Sequence, residues 1–165
     1  MEKDSRYWIE KLALTAHPEG GYFKEIFRSE EEIPATLNQK EGRRNYMTSI
    51  YFLLDQKSRS HFHILSSDEI WYWHNGGTGR IHFISENGTY SYSDIGCYPE
   101  NNEQLQIVIP KNTWFAAEVI SGEFILVSCA VAPGFDFRDF ILAKKTEMIQ
   151  QFPQHESLLQ RFCLL

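Results

Sequence analysis

The segment Ser60–Gly76, SHFHILSSDEIWYWHNG, holds the residues best suited to chemistry in this chain. It divides into two short strands, Ser60–Leu65 and Glu69–Asn75, around a break at Ser66–Ser67–Asp68. Residues two apart on a strand share a face. His61 and His63 therefore project together, and so do Glu69, Trp71 and Trp73 on the next strand. Two imidazoles and a carboxyl can form part of a metal site. They can equally line a wet, metal-free pocket. In the second case a neutral His63 is suited to removing a proton next to a carbonyl, and Glu69 or Tyr51 can return it on the other side.

These groups need a scaffold, and the remaining pattern supplies strands. Thr48–Leu54, Arg80–Ile84, Thr89–Asp94, Leu105–Ile109, Thr113–Val119, Phe124–Ala132 and Phe135–Leu142 read as extended, as does Tyr22–Arg28 near the start. Turn signals separate them at short intervals, which is the signature of a sandwich or barrel. Ser-Glu-Asn-Gly at 85–88 predicts a hairpin with a type I′ turn, and Ser121–Gly122 predicts another turn. Helical spacing occurs only at the ends. Asp4–Leu14 reads as a short amphipathic helix with Asp4 or Ser5 as N-cap, ended by His17–Pro18. Thr146 onward reads as one or two helices broken by Pro153. Ser29–Arg44 is polar and loop-like. The expectation is a single all-β domain over residues 1–165, with a barrel at about 20–143 and a helical tail at 146–165.

Composition narrows the function classes. A length of 165 residues is enough for an independent core. A formal charge of −6, with basic residues scattered, argues against nucleic acid or an anionic membrane surface as partner. No apolar run approaches the ~18–20 residues of a membrane helix, and the charged N-terminus lacks a signal-peptide core. Cys97, Cys129 and Cys163, odd in number and widely spaced, read as reduced thiols, with Cys129 an inert buried one. These features together imply a cytoplasmic protein. Phe124–Ala132 (FILVSCAVA) carries no charge on either face, so one face needs cover, and a homodimer is the expected source.

The spacing H-x-H, five residues, Glu, six residues, Gly resembles the first motif of the cupin superfamily. Cupins are small jelly-roll barrels (double-stranded β-helices), and their activities range from dioxygenases to sugar isomerases, epimerases and storage proteins. Their second motif ends in a metal histidine. Here that stretch is Pro110–Phe115, and Phe115 stands in the histidine's place. The resemblance thus implies an incomplete metal set, and no cofactor is favoured. A divalent metal, if bound, would use His61, His63 and Glu69, with Gln106 as fourth ligand. HPEGGYF at 17–23, SxFHxxxSDExW at 60–71 and APGFDF at 132–137 resemble one largely uncharacterised cupin branch, a domain of unknown function. Fold and dimer habit follow from that resemblance; a reaction does not.

Further candidates surround this centre. Ser60 precedes the H-x-H pair. Glu19 sits in a Pro-Glu-Gly-Gly loop that either meets a ligand or exists for its backbone. Lys24 inside a barrel would favour an anionic ligand. Trp71, Trp73 and Trp114 can stack a planar ring or fill core. Gln106, on an aliphatic strand, would be costly to bury unpaired. Asp136 and Asp139 read as structural, through Arg138 or a turn cap, and His74 and His82 as outward-facing. Three functions remain open. The first is a metal-independent isomerase or epimerase acting on a sugar or nucleotide sugar. The second is a binding or storage module for a sugar, nucleotide or organic acid. The third is a metal-dependent enzyme.

Overall fold

A computed structural model describes residues 3–38 and 40–164. Helix α1 (Ser5–Leu12) is capped by the Asp4 carboxyl, which accepts from the Tyr7 N–H at 2.9 Å. Then come β1 (Thr15–Ala16), β2 (Tyr22–Arg28), β3 (Glu32–Ile33), α2 (Ala35–Asn38) and β4 (Arg44–Asn45). The segment expected as loop is therefore partly ordered by short elements, and its Gln39 lies outside the described residues. The body follows as β5 (Thr48–Asp55), β6 (Ser60–Leu65), β7 (Asp68–Ile84), β8 (Tyr90–Ile95), β9 (Glu103–Gln104), β10 (Gln106–Ile109), β11 (Trp114–Ala132) and β12 (Phe140–Leu142). Helices α3 (Lys145–Gln151) and α4 (Glu156–Phe162) close the chain on either side of Pro153, as the tail pattern predicts.

Two strands organise the rest. The first half of β7 and the second half of β11 pair in a layer that continues through β5, β2 and β1, with β10 at its other edge. The second half of β7 and the first half of β11 pair in a facing layer with β6, β12 and β8. Two sheets sharing two bent strands make a jelly roll. The gap left between the expected strands Glu69–Asn75 and Arg80–Ile84, and the expected turn at Ser121–Gly122, are thus bends within continuous strands. At the bend the backbones press together: a Cβ on Gly76 would lie 2.1 Å from the Phe124 carbonyl oxygen, and one on Gly77 1.9 Å from that of Ser121. Only glycine fits such an approach.

Three further expectations change. Asn87 does not take positive φ; only Gly88 does, at 81°, and its N–H bonds the Ser85 carbonyl at 2.8 Å. The 85–88 hairpin is therefore a type I turn ended by a left-handed glycine, not type I′. Phe135–Leu142 is not one extended piece but a 3₁₀ turn, Phe137–Asp139, followed by β12. His82 does not face outward. It is buried, with its ring nitrogens on the Tyr90 hydroxyl and the Glu118 carboxyl.

Three apolar clusters hold the layers. Between the sheets lie Phe52, Trp71, Ile81, Ile95, Phe115 and Ile125. Under the tail, Phe62, Ile84 and Ala116 meet Met148, Phe152, Leu159 and Phe162. On the outer face of β5 and β11, Leu53, Phe124 and Leu126 pack with Leu14 and with Trp8, Ile9 and Leu12 of α1. On the outer face of β11, for which a partner subunit is the expected cover, Phe124 and Leu126 pack against the chain's own N-terminal segment, while Ser128 and Ala130 stay half-buried. Among the described residues no helix is long and apolar enough to cross a membrane.

Candidate functional site

A cavity of about 320 Å³ opens at one end of the sandwich. Its back is the inner face of β5, β7 and β11, with Ile50, Phe52, Trp71 and Val131. Its side is β2, with Phe23. Its roof is the segment after β11, with Phe135 and Phe137.

The floor is polar and buried. His63 and Glu69, expected to share a hollow, both line it. Glu19 lies between them in effect. Its Oε1 accepts from the Ser60 hydroxyl at 2.6 Å, and its Oε2 lies 3.1 Å from His63 Nε2 and 3.5 Å from His17 Nδ1. His63 Nδ1 is 2.7 Å from the His61 carbonyl oxygen. A carbonyl only accepts, so Nδ1 carries a proton and donates it there. One further proton then sits between Nε2 and Oε2. Burial works against charge on both partners: desolvation lowers the His63 pKa to about 4 and raises that of Glu19. It therefore favours the proton on Glu19 over an ion pair. Glu69 accepts from Trp71 Nε1 at 2.9 Å, and burial, then the nearby Glu19, push its pKa up to about 8. The Cys129 thiol sits against Glu69, raised by burial and by that carboxyl. It is buried, as expected, but it lines the cavity.

A bulge explains why the H-x-H pair does not act as a pair. Phe115 pairs with His63 and Ala117 with Ser60, so β6 holds an extra residue between them. Ser60 and His63, three apart, therefore both reach Glu19. His61 does not line the cavity. Its N–H and Nδ1–H both bond the Glu19 carbonyl, at 2.8 and 2.7 Å, and so anchor the 17–21 loop. Gly20 of that loop, at φ 110°, would set a Cβ 1.9 Å from the Arg59 carbonyl oxygen. The loop thus both needs its glycines and delivers Glu19.

Several expected residues lie elsewhere. Tyr51 projects from the opposite face of β5 to Ile50 and Phe52, packs with Leu53, and meets His74 edge-on. Lys24 pairs with Tyr51 and projects to the exposed side of β2. Trp73 shares the interior side but lies against the apolar core beyond the cavity, its Nε1–H on the Gly77 carbonyl at 3.0 Å. Trp114 packs among the tail helices. Gln106 is exposed on β10, where solvent meets its amide at no burial cost. The four-ligand set His61, His63, Glu69 and Gln106 does not fit a metal: His61 turns away, Gln106 is outside, and the Phe115 ring packs at a tilt against His63 with centroids 4.0 Å apart. Among the described residues no three His, Cys, Asp or Glu side chains are grouped to hold an ion.

Other lining residues escaped the spacing argument. His17 heads the HPEGGYF motif but reads by itself as a helix stop. Glu25 and Arg28 line the cavity although three apart, because β2 also carries a bulge between Glu25 and Phe27. Asp136 and Phe135 come from the APGFDF motif, whose structural role also holds: Asp136 pairs with Arg138 and caps the turn, and Asp139 pairs with Arg44 and Lys40.

A jelly roll with a buried acid–imidazole cluster at one end defines a cupin barrel. The chain belongs to the family described as Cupin superfamily (DUF985), which matches residues 6–143. It is similar to an uncharacterised protein of Saccharomyces cerevisiae, 32% identical over 148 residues that cover 82% of this chain and 73% of that protein. Among solved structures, a hypothetical protein from Leishmania major is 34% identical with a TM-score of 0.91, covering 98% of this chain and 99% of that one. A protein from Shewanella oneidensis is also 34% identical, with a TM-score of 0.90 and 99% of each chain covered.

Proposed function

We propose that the chain binds a small organic molecule in this cavity and moves a proton on it, as isomerases and epimerases do. In this reading His63 and Glu19 transfer the proton, and Glu69 holds the ligand's polar end. The carrying observation is the 3.1 Å contact between His63 Nε2 and Glu19 Oε2, backed on both sides by Ser60 and the His61 carbonyl. When a ligand carbonyl takes over the Glu19 hydrogen bond, His63 Nε2 is freed as a base beside it. Proton loss from the adjacent carbon to His63 and proton gain at the carbonyl oxygen from Glu19 yield the enol, and the reverse on the other side completes the exchange. The cavity, at about 320 Å³, is near the lower bound of ligand pockets and suits one ring or a short chain. Arg28, the guanidinium that lines it, is already bound by Glu25. A small carbonyl compound, such as an amino sugar or aminoketone, fits these features better than a nucleotide sugar with its diphosphate.

The test is carbon-bound hydrogen exchange in heavy water, followed by NMR, over a panel of aldoses, ketoses, amino sugars and aminoketones. The wild type is expected to exchange at least one class. His63→Ala and Glu19→Gln should be slower by about a hundredfold, and Tyr51→Phe unchanged. Binding without exchange anywhere in the panel would make the protein a binding module instead, and an equally active His63→Ala would remove His63 from the mechanism.

A further inference from the structure

We propose that the ligand of this cavity is a small organic cation, its ammonium group seated on Glu69 and its apolar body against the ring walls. This rests on the reading of the cavity as a ligand pocket and supplies its substrate class. The four carboxyls that line the cavity differ in what holds them. At the rim, Glu25 is clasped by Arg28 at 2.7 and 3.0 Å, and Asp136 by Arg138 at 2.7 Å. At the floor, among the described residues, Glu19 has only imidazoles for basic neighbours and Glu69 has no salt-bridge partner. Arg28 has its charge matched by Glu25 and four of its five N–H groups engaged, by Glu25, Asn45 and the Phe135 carbonyl. Among the described residues an anionic ligand would find no arginine or lysine in the cavity that lacks a carboxylate partner. The walls point the same way. Phe23, Phe52, Trp71, Phe135 and Phe137 surround the floor, and aromatic faces attract a cation within about 6 Å.

Cation binding is linked to a proton. The titratable groups that share the cavity with Glu69 are Cys129 on β11, Glu19 and His17 before β2, His63 on β6, and Glu25 and Arg28 on β2, with Asp136 in the roof. Its strand neighbours, Ile109 on β10 and Val131 on β11, are apolar. In the free protein Glu69 keeps its proton to about pH 8. A bound ammonium replaces that proton, which leaves for solvent, and the carboxylate pairs with the cation. A neutral carbonyl ligand would need the proton to stay, so the two ligand classes have opposite pH dependence.

Titration calorimetry on the intact protein decides the matter. The probes are methylammonium, benzylammonium and choline, each beside its neutral carbon isostere, between about pH 6 and 8 in buffers of different ionisation heat. The expected result is cation affinity rising by up to about tenfold per pH unit, with close to one proton released per site. The isosteres should bind at least ~10-fold more weakly. Glu69→Gln should lose both the proton release and the pH dependence, and the wild-type series stands by itself if that variant does not fold. Isosteres binding as tightly, affinity flat or falling with pH, or no cation bound at all would overturn the proposal. Cation binding without any carbon-bound exchange would keep it and remove the proton-transfer reading. Exchange of neutral ketoses with no cation bound would do the reverse.

Discussion

Replacing Glu69 with glutamine is expected to stabilise the folded protein at neutral pH by about 3 kcal/mol, since each pKa unit of difference corresponds to ~1.4 kcal/mol. The unfolded chain loses this proton near the ordinary value of 4.5, and the folded chain near 8. Between those values the folded state keeps a proton that the unfolded state has lost, so each step up in pH favours unfolding. Glutamine removes the linkage while its amide oxygen still accepts from Trp71. The gain over wild type should be near zero at about pH 4.5 and grow until about pH 8. His63 works in the other direction. It stays neutral in the fold down to about 4 but titrates at 6.5 when unfolded, so it adds stability as pH rises from 4 to 6.5. Above 6.5 only the buried carboxyls remain, and wild-type stability should fall between pH 6.5 and 8. Urea unfolding at a series of pH values measures this directly. Wild-type stability that is level or rising across that upper window would mean that Glu69 is already ionised in the fold.

Truncating Asp139 to alanine should cost about 3–5 kcal/mol, because it leaves buried charges without a partner. Arg44 is 2% exposed and holds both Asp139 oxygens, through Nε at 2.8 Å and Nη2 at 3.0 Å. Lys40 Nζ reaches the same carboxylate at 3.1 Å. The midpoint of thermal unfolding should fall by roughly 10 °C for a chain of this size. Asp139→Asn keeps acceptor geometry for one cation and should fall between wild type and alanine. Asp139 ends the turn whose other end is the roof over the cavity, so ligand affinity should drop with stability. A melting curve for Asp139→Ala within a degree or two of wild type would show that the two cations find water instead.

The sequence carries the site unevenly, for physical reasons. The H-x-H…Glu spacing identifies His63 and Glu69, and the Pro-Glu-Gly-Gly loop identifies Glu19, because short motifs preserve the backbone shapes that deliver them. Alternation then fails where strands are irregular. The extra residue in β6 turns His61 out and brings Ser60 in, and the bulge in β2 sets Glu25 and Arg28 on one side against a strict period of two. Tyr51 and Lys24 fail differently. Their strands are regular there, but β5 is apolar on both faces because one meets the interior and the other meets α1, so residue type cannot tell them apart. The bent strands were misread for a related reason: a glycine needed for close approach and a glycine needed for a turn look alike in one dimension. Gln106 shows the reverse case, a polar residue on an aliphatic strand that is polar simply because it faces water.

The two bent strands tie the cavity to the far end of the molecule. Within β11, Phe115 presses on His63, the neighbouring Ala116 lies beneath the tail, and the same chain runs on to Cys129 beside Glu69. Fraying of the C-terminal helices therefore removes support from a rod that also forms a wall of the cavity. Amide hydrogen exchange should show protection at Phe115–Ala117 and at Val127–Val131 lost together, as one cooperative block, so that a lesion in the tail reads out as a loosened cavity.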